Sequence, residues 1–134
     1  VVSQVVDPNG KVVKETKPKV IRKVLSQSTS DAMRKDMIAT VEYGTGKKAK
    51  IEGYTFGGKT GTAETVVNGA YTQKETIATY IGYGGGKNGA EYVIMVRVAA
   101  PGKGINLQGD LHAGPIFTDI SNWMIDYMKI APKE

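Results

Sequence analysis

Two β-rich runs, TIATYIGYG at 76–84 and EYVIMVRVAA at 91–100, meet across Gly84-Gly85-Gly86-Lys87-Asn88-Gly89. So short a connection cannot carry the crossover that parallel strands require, so the runs must pair as an antiparallel hairpin. A third segment, 54–67, is rich in Thr, Val and Gly, and the turn pair Asn68-Gly69 follows it. Nothing in it favours a helix. The centre of the chain therefore reads as a three-stranded meander.

The flanks add a hairpin and two helices. VVSQVVDPNGKVV predicts a hairpin over 1–14, with Val1 already mid-strand and Asp7-Pro8-Asn9-Gly10 as its turn. A basic connector, Lys14 to Lys23, is broken by Pro18. The spacing of Met33, Met37, Thr40 and Val41 predicts a helix over about 28–43. Ser26 or Ser28 can cap it, and Gly44 and Gly46 end it. A last helix is expected over about 114–129. Pro115 suits its first turn, and Phe117, Ile120, Met124 and Tyr127 form its apolar stripe. Trp123 and the Met-rich helical stripes are assigned to the core.

The fold class is α+β: an antiparallel sheet of at least three strands, flanking helices and a C-terminal helix. With 134 residues the chain has material for one core. Two helices and a hairpin are little to cover both faces of a sheet, so the chain is expected to be part of a larger domain.

The charge and residue inventory narrows the chemistry. The formal charge of +5 is spread out, with lysines gathered at 11–23 and at Lys47, Lys48 and Lys50. These clusters lack interleaved aromatics and a recognition helix, so they read as solvated surface and not as a nucleic-acid interface. The absence of cysteine excludes thiol catalysis, zinc–thiolate sites and disulfides. It agrees with a non-cytoplasmic bacterial location. The longest apolar run, Tyr92 to Val96, is far too short to cross a bilayer, and no secretory segment opens the chain.

The chemistry-bearing stretch is GYTFGGKTGTAE at 53–64, which fits two patterns. Gly53, Gly58, Lys59 and Thr60 satisfy the nucleotide-binding pattern G-x-x-x-x-G-K-[ST]. That pattern needs a buried strand before it and a helix after it. GKKAKIE before Gly53 is too polar for such a strand, and GTAETVVNGAY after Thr60 opposes a helix. The alternative is an extended K-T-G-T strand beside a cleft. Gly57 and Gly58 would give the backbone room there. Lys59 would supply a fixed positive charge, and Thr60 and Thr62 would present two hydroxyls on one side of the strand.

In order along the chain, VVSQVVDPNGKVV, STSDAMRKDMIATVEYGTGKKAKIEGY, FGGKTGTAE, IATYIGYG, YVIMVRV and AGPIFTDISNWMIDYM resemble the C-terminal part of class B penicillin-binding proteins. These are the D,D-transpeptidases of peptidoglycan synthesis. The resemblance implies an α/β sandwich with a five-stranded antiparallel sheet and a cleft lined by three motifs: S-x-x-K, S-x-N and K-[ST]-G. Ser3, Ser26, Ser28, Ser30 and Ser121 are the serines, and none has Lys three residues on or Asn two residues on. The first two motifs are expected upstream of Val1, together with any membrane anchor.

The family chemistry implied is two-step acyl transfer from a D-Ala-D-Ala stem peptide, with β-lactams as mimics of that donor. It needs no cofactor or metal. The resemblance gives Lys59 a bond towards the second motif's serine, and gives Thr60, Gly61 and Thr62 the binding of the terminal carboxylate. Thr62 N–H becomes one oxyanion-hole donor, a group worth about 3–4 kcal/mol. This chain alone is expected to be inactive. Its partners would be the stem peptide, β-lactams and the remainder of the domain, at the outer face of the cytoplasmic membrane, in septation or elongation. The alternative is a non-catalytic module that binds carboxylate-ended peptides. His112, the single histidine, stands before the last helix and away from the K-T-G-T stretch in sequence and is read as non-catalytic, Glu64 as a surface or rim group, and Gly84–Gly86 as a hairpin tip.

Overall fold

A computed structural model describes residues 2–133; Val1, expected mid-strand, and Glu134 lie outside them. Strands β1 (Gln4–Val6) and β2 (Val12–Glu15) form a separate antiparallel pair. Asp7 closes its turn, its Oδ1 accepting the N–H groups of Asn9 and Lys11 at 2.9 Å each. Helix α1 (Gln27–Glu42) starts where Ser26 Oγ accepts the Thr29 N–H at 3.1 Å, which satisfies one of the open amides of a helix start.

The main sheet has the order β3 (Thr55–Val67), β4 (Ala70–Gly85), β5 (Tyr92–Val98), all antiparallel. Strand β4 begins at Ala70, earlier than the expected residue 76. The cause is the tight turn at Asn68 and Gly69, both at positive φ (51° and 81°), which lets Val67 pair with Ala70 at once. The register then shifts: Thr65 faces Thr72 while Glu64 faces Thr76, so Gln73, Lys74 and Glu75 bulge out of β4. Strand β5 stops at Val98, short of residue 100, as the chain turns through Pro101.

Helix α2 (Gly114–Met128) follows a π-helical turn at Gly109–Ala113 and covers one face of the sheet. Phe117 is fully buried, with its ring 4.7 Å from Tyr80 and 6.1 Å from Phe56. Burying such a ring stabilises the fold by about 1.5–3 kcal/mol. Val41 of α1 and Ala49 of the adjoining 3-10 turn complete this core, and Thr118 Oγ1 donates to the Lys48 carbonyl at 2.6 Å.

The buried stripe of α2 is Gly114, Phe117, Ser121 and Ile125, which corrects the expected one. Small Gly114 and Ser121 let that side lie closest to the sheet, so Ile120 and Tyr127 turn outward (38% and 70% exposed). Trp123 is not core either. It is 59% exposed and stacks on Tyr127 at 4.7 Å. Met33 and Met95 are exposed because α1 buries only its C-terminal end and β5 turns alternate residues outward. At 84–86 the glycines are not merely a tip. Pairing runs through Gly85, and Lys87 N–H donates to the Ala131 carbonyl at 3.2 Å.

Candidate functional site

The backbone from Thr55 to Val67 is a continuous strand, so no helix begins at Thr60 and the phosphate-loop geometry does not form. Gly57 and Gly58 are buried, and they do not open onto a cleft as the sequence reading has it. A Cβ on either would run into the rings of Tyr83 and Tyr80, so the space they leave is filled by tyrosine packing from β4. Burial pushes the Tyr80 phenol from its ordinary value near 10 up to about 12.

Strand β3 lies at the edge of the sheet, pairing only with β4 among the described strands. Two observations fix which of its polar groups face the open edge. The Gly58 carbonyl accepts from the Thr40 hydroxyl of α1, and the Thr60 carbonyl accepts from Lys59 Nζ at 3.0 Å. Both therefore point away from β4. Backbone polar groups alternate sides along a strand, so with Gly58 and Thr60 turned outward Gly61 faces its partner Thr79 in β4 and Thr62 faces outward. The Thr62 N–H is thus directed at the open edge.

Thr60, Thr62 and Glu64 share the face carrying Tyr80, Ala78 and Thr76, their register partners. They line an open groove of about 460 Å³ with Thr45, Gln108 and Asp110. Thr45 Oγ1 lies 3.1 Å from Thr60 Oγ1, and Gly109 N–H donates to Thr62 Oγ1 at 3.3 Å. Lys59 alternates to the other face, but its ammonium folds back over the edge to the Thr60 carbonyl and Thr60 Oγ1 (3.2 Å). Two hydroxyls, one outward N–H and one ammonium thus converge on a single stretch of strand edge. Such a set of donors suits a carboxylate or a developing oxyanion.

Of the residues singled out in the sequence, Lys59, Thr60, Gly61 and Thr62 come together, and Glu64 sits on the groove wall. His112 belongs to the π turn, where its Nδ1 accepts the Gln108 N–H at 2.9 Å. Gln108, Gly109 and Asp110 were missed, as was Thr45. Their segment, PGKGINLQGD at 101–110, has no periodicity to betray it. Among the described residues no group of His, Asp and Glu could hold a metal ion, and no helix is long and apolar enough to cross a membrane.

Residues 1–122 match the family model described as the penicillin binding protein transpeptidase domain. The stage V sporulation protein D of Bacillus subtilis is 34% identical over 130 residues, 96% of this chain and 20% of that protein. The probable peptidoglycan D,D-transpeptidase PenA of Neisseria flavescens is 30% identical over 83% of this chain and 28% of its own length. Among solved structures, penicillin binding protein 3 of Mycobacterium tuberculosis complexed with ampicillin superposes with a TM-score of 0.79 at 27% identity. That alignment covers 98% of this chain and 31% of the other. The chain thus spans a fifth to a third of the proteins it matches.

Proposed function

Because the chain belongs to the penicillin-binding-protein transpeptidase family, we propose that it supplies the substrate-binding strand of a serine D,D-transpeptidase. The nucleophile and the S-x-N serine belong to the remainder of the domain. The donor is a peptidoglycan stem peptide ending in D-Ala-D-Ala, and β-lactams acylate the same serine.

The extended peptide lies along the open edge of β3 by strand addition. Its terminal carboxylate takes the hydroxyl hydrogens of Thr60 and Thr62. The scissile carbonyl points at the Thr62 N–H, which stabilises the tetrahedral oxyanion together with an amide from the nucleophile's own segment. Serine attack expels D-Ala, and the amine of a second stem resolves the acyl-enzyme. Lys59 keeps the cleft positive and reaches towards the second motif's serine. Gly61 turns its own polar groups to β4, which leaves both neighbouring threonines facing the substrate. The catalytic face lies outside the cytoplasmic membrane, held by an anchor elsewhere in the protein.

The observation that carries this reading is the strand edge on which the Gly58 and Thr60 carbonyls, and by alternation the Thr62 N–H, turn outward while the Thr60 and Thr62 side chains share one groove. A fluorescent penicillin tests it. A protein joining this chain to an S-x-x-K segment of its own domain becomes covalently labelled, and Lys59→Ala lowers the labelling rate at least about tenfold. The 134-residue chain alone stays unlabelled. A longer product with S-x-x-K that never forms an adduct would favour a peptide-binding module, and a labelled 134-residue band would overturn the assignment of the nucleophile.

A further inference from the structure

The bulge in β4 holds the loop after β5 against the groove. Glu75, only 9% exposed, accepts the N–H groups of Gly102 (3.1 Å) and Gly104 (3.0 Å) through its two carboxylate oxygens. Thr76 is 3% exposed and grips Leu107 from both sides: its Oγ1 donates to the Leu107 carbonyl at 2.6 Å and accepts the Leu107 N–H at 2.7 Å. The Thr76 N–H donates to the Ile105 carbonyl at 3.2 Å, and Asn106 Nδ2 to the Gln73 carbonyl at 3.0 Å. Two residues past Leu107, Gly109 rests on the Gly61–Thr79 rung and gives its N–H to Thr62 Oγ1.

A threonine hydroxyl has one hydrogen and two acceptor sites. With the Gly109 amide occupying an acceptor site, the hydrogen of Thr62 is left to donate. Freed from Gly109, the hydroxyl could instead rotate its hydrogen towards the acceptors along the same wall, Glu64, Gln108 and Asp110. We infer that Thr76, seconded by Glu75, is a positioning residue for carboxylate recognition: by docking the 101–109 loop it orients the Thr62 hydroxyl as a donor to the substrate's terminal carboxylate. The inference rests on the proposed role of Thr62 and adds a residue that acts through the loop: Thr76 borders the groove but is 3% exposed, and its hydroxyl is engaged by Leu107.

The test is an NMR titration of the isotopically labelled whole transpeptidase domain that contains this chain, with N-acetyl-D-Ala-D-Ala and with its C-terminal amide. The ratio of the two affinities reads carboxylate recognition and not general integrity. The wild type and Thr76→Ser, which keeps the hydroxyl, prefer the acid. Thr76→Val loses about tenfold of that preference, the worth of one hydrogen bond to a charged group. Should Thr76→Val fail to fold, Glu75→Gln decides, because it keeps an acceptor for only one of the two glycine amides; its preference falls by a smaller factor. A wild type without acid preference overturns the reading of Thr60 and Thr62, and this inference with it. A wild type that prefers the acid, with Thr76→Val (or, in its place, Glu75→Gln) preferring it equally, overturns the positioning role alone.

Discussion

Gly109 is the position where packing and recognition meet most tightly, and substituting it gives a two-sided prediction. A Cβ there would stand 2.7 Å from the Thr79 carbonyl oxygen, 2.8 Å from that of Gly61 and 3.0 Å from Gly61 N. Ordinary contact begins at 3.4 Å, and all three obstacles are backbone atoms of the β3–β4 ladder that cannot rotate aside. Relief must come from lifting the loop by several tenths of an ångström, and the Gly109–Thr62 bond, already 3.3 Å, has little length to spare. Overpacking of this kind costs about 1–3 kcal/mol. Gly114, five residues on at the start of α2, is the control. Its Cβ would meet the Gly109 carbonyl at 3.7 Å and Lys48 Cβ at 3.9 Å, and its φ of −59° is already helical. Gly114→Ala should therefore be neutral or gain about 0.5–1 kcal/mol from the reduced entropy of the unfolded chain. Urea unfolding followed by circular dichroism measures both. Gly109→Ala is expected to lie about 1–4 kcal/mol below Gly114→Ala, and to lose acid-over-amide preference in the peptide titration. Two variants agreeing within about 0.5 kcal/mol would refute the claim that Gly109 is held against the strand backbone.

Phe117→Ala removes the ring at the centre of the core and is expected to cost about 3–5 kcal/mol by the same unfolding measurement. Stability should also fall at alkaline pH. The Tyr80 phenol ionises near 10 in the unfolded chain and near 12 when buried, so the folded state holds the extra proton between those values. The stabilisation is complete below pH 10, declines as pH rises to about 12 and is flat beyond; burial raises Tyr83 and Tyr92 in the same direction. Tyr80→Phe should remove Tyr80's part of that decline, on the order of 2 kcal/mol, at little cost near neutral pH because the buried hydroxyl has no hydrogen-bond partner among the described residues. Urea midpoints at neutral and alkaline pH, with tyrosinate absorbance, check both statements.

The antiparallel meander was legible because its connections are short and its turn chemistry local. The Gly-rich link at 84–89 and Asn68-Gly69 admit few alternatives. The K-T-G-T strand was legible for a similar reason: the residues after Thr60 oppose the helix a phosphate loop needs. What the sequence hid is tertiary. The orientation of α2 depends on Gly114 and Ser121 giving close approach, a preference that outweighs the larger apolar stripe through Ile120 and Tyr127. The role of Gly57 and Gly58 depends on tyrosines more than 20 residues away in sequence: the β3–β4 register sets Tyr83 opposite Gly57 and Tyr80 diagonally beside Gly58. The second wall of the groove is irregular backbone. It is held by Glu75 of the bulge and by Thr76 beside it, which look like ordinary strand residues until the register shift turns them inward.

Amide hydrogen exchange along β3 tests the central geometry most directly. The Thr62 N–H should exchange quickly in the free chain while Gly61, bonded into β4, exchanges slowly, and saturating N-acetyl-D-Ala-D-Ala should slow Thr62 while leaving Gly61 unchanged. A protected Thr62 beside a fast Gly61, or no slowing of Thr62 in the peptide's presence, would contradict the account.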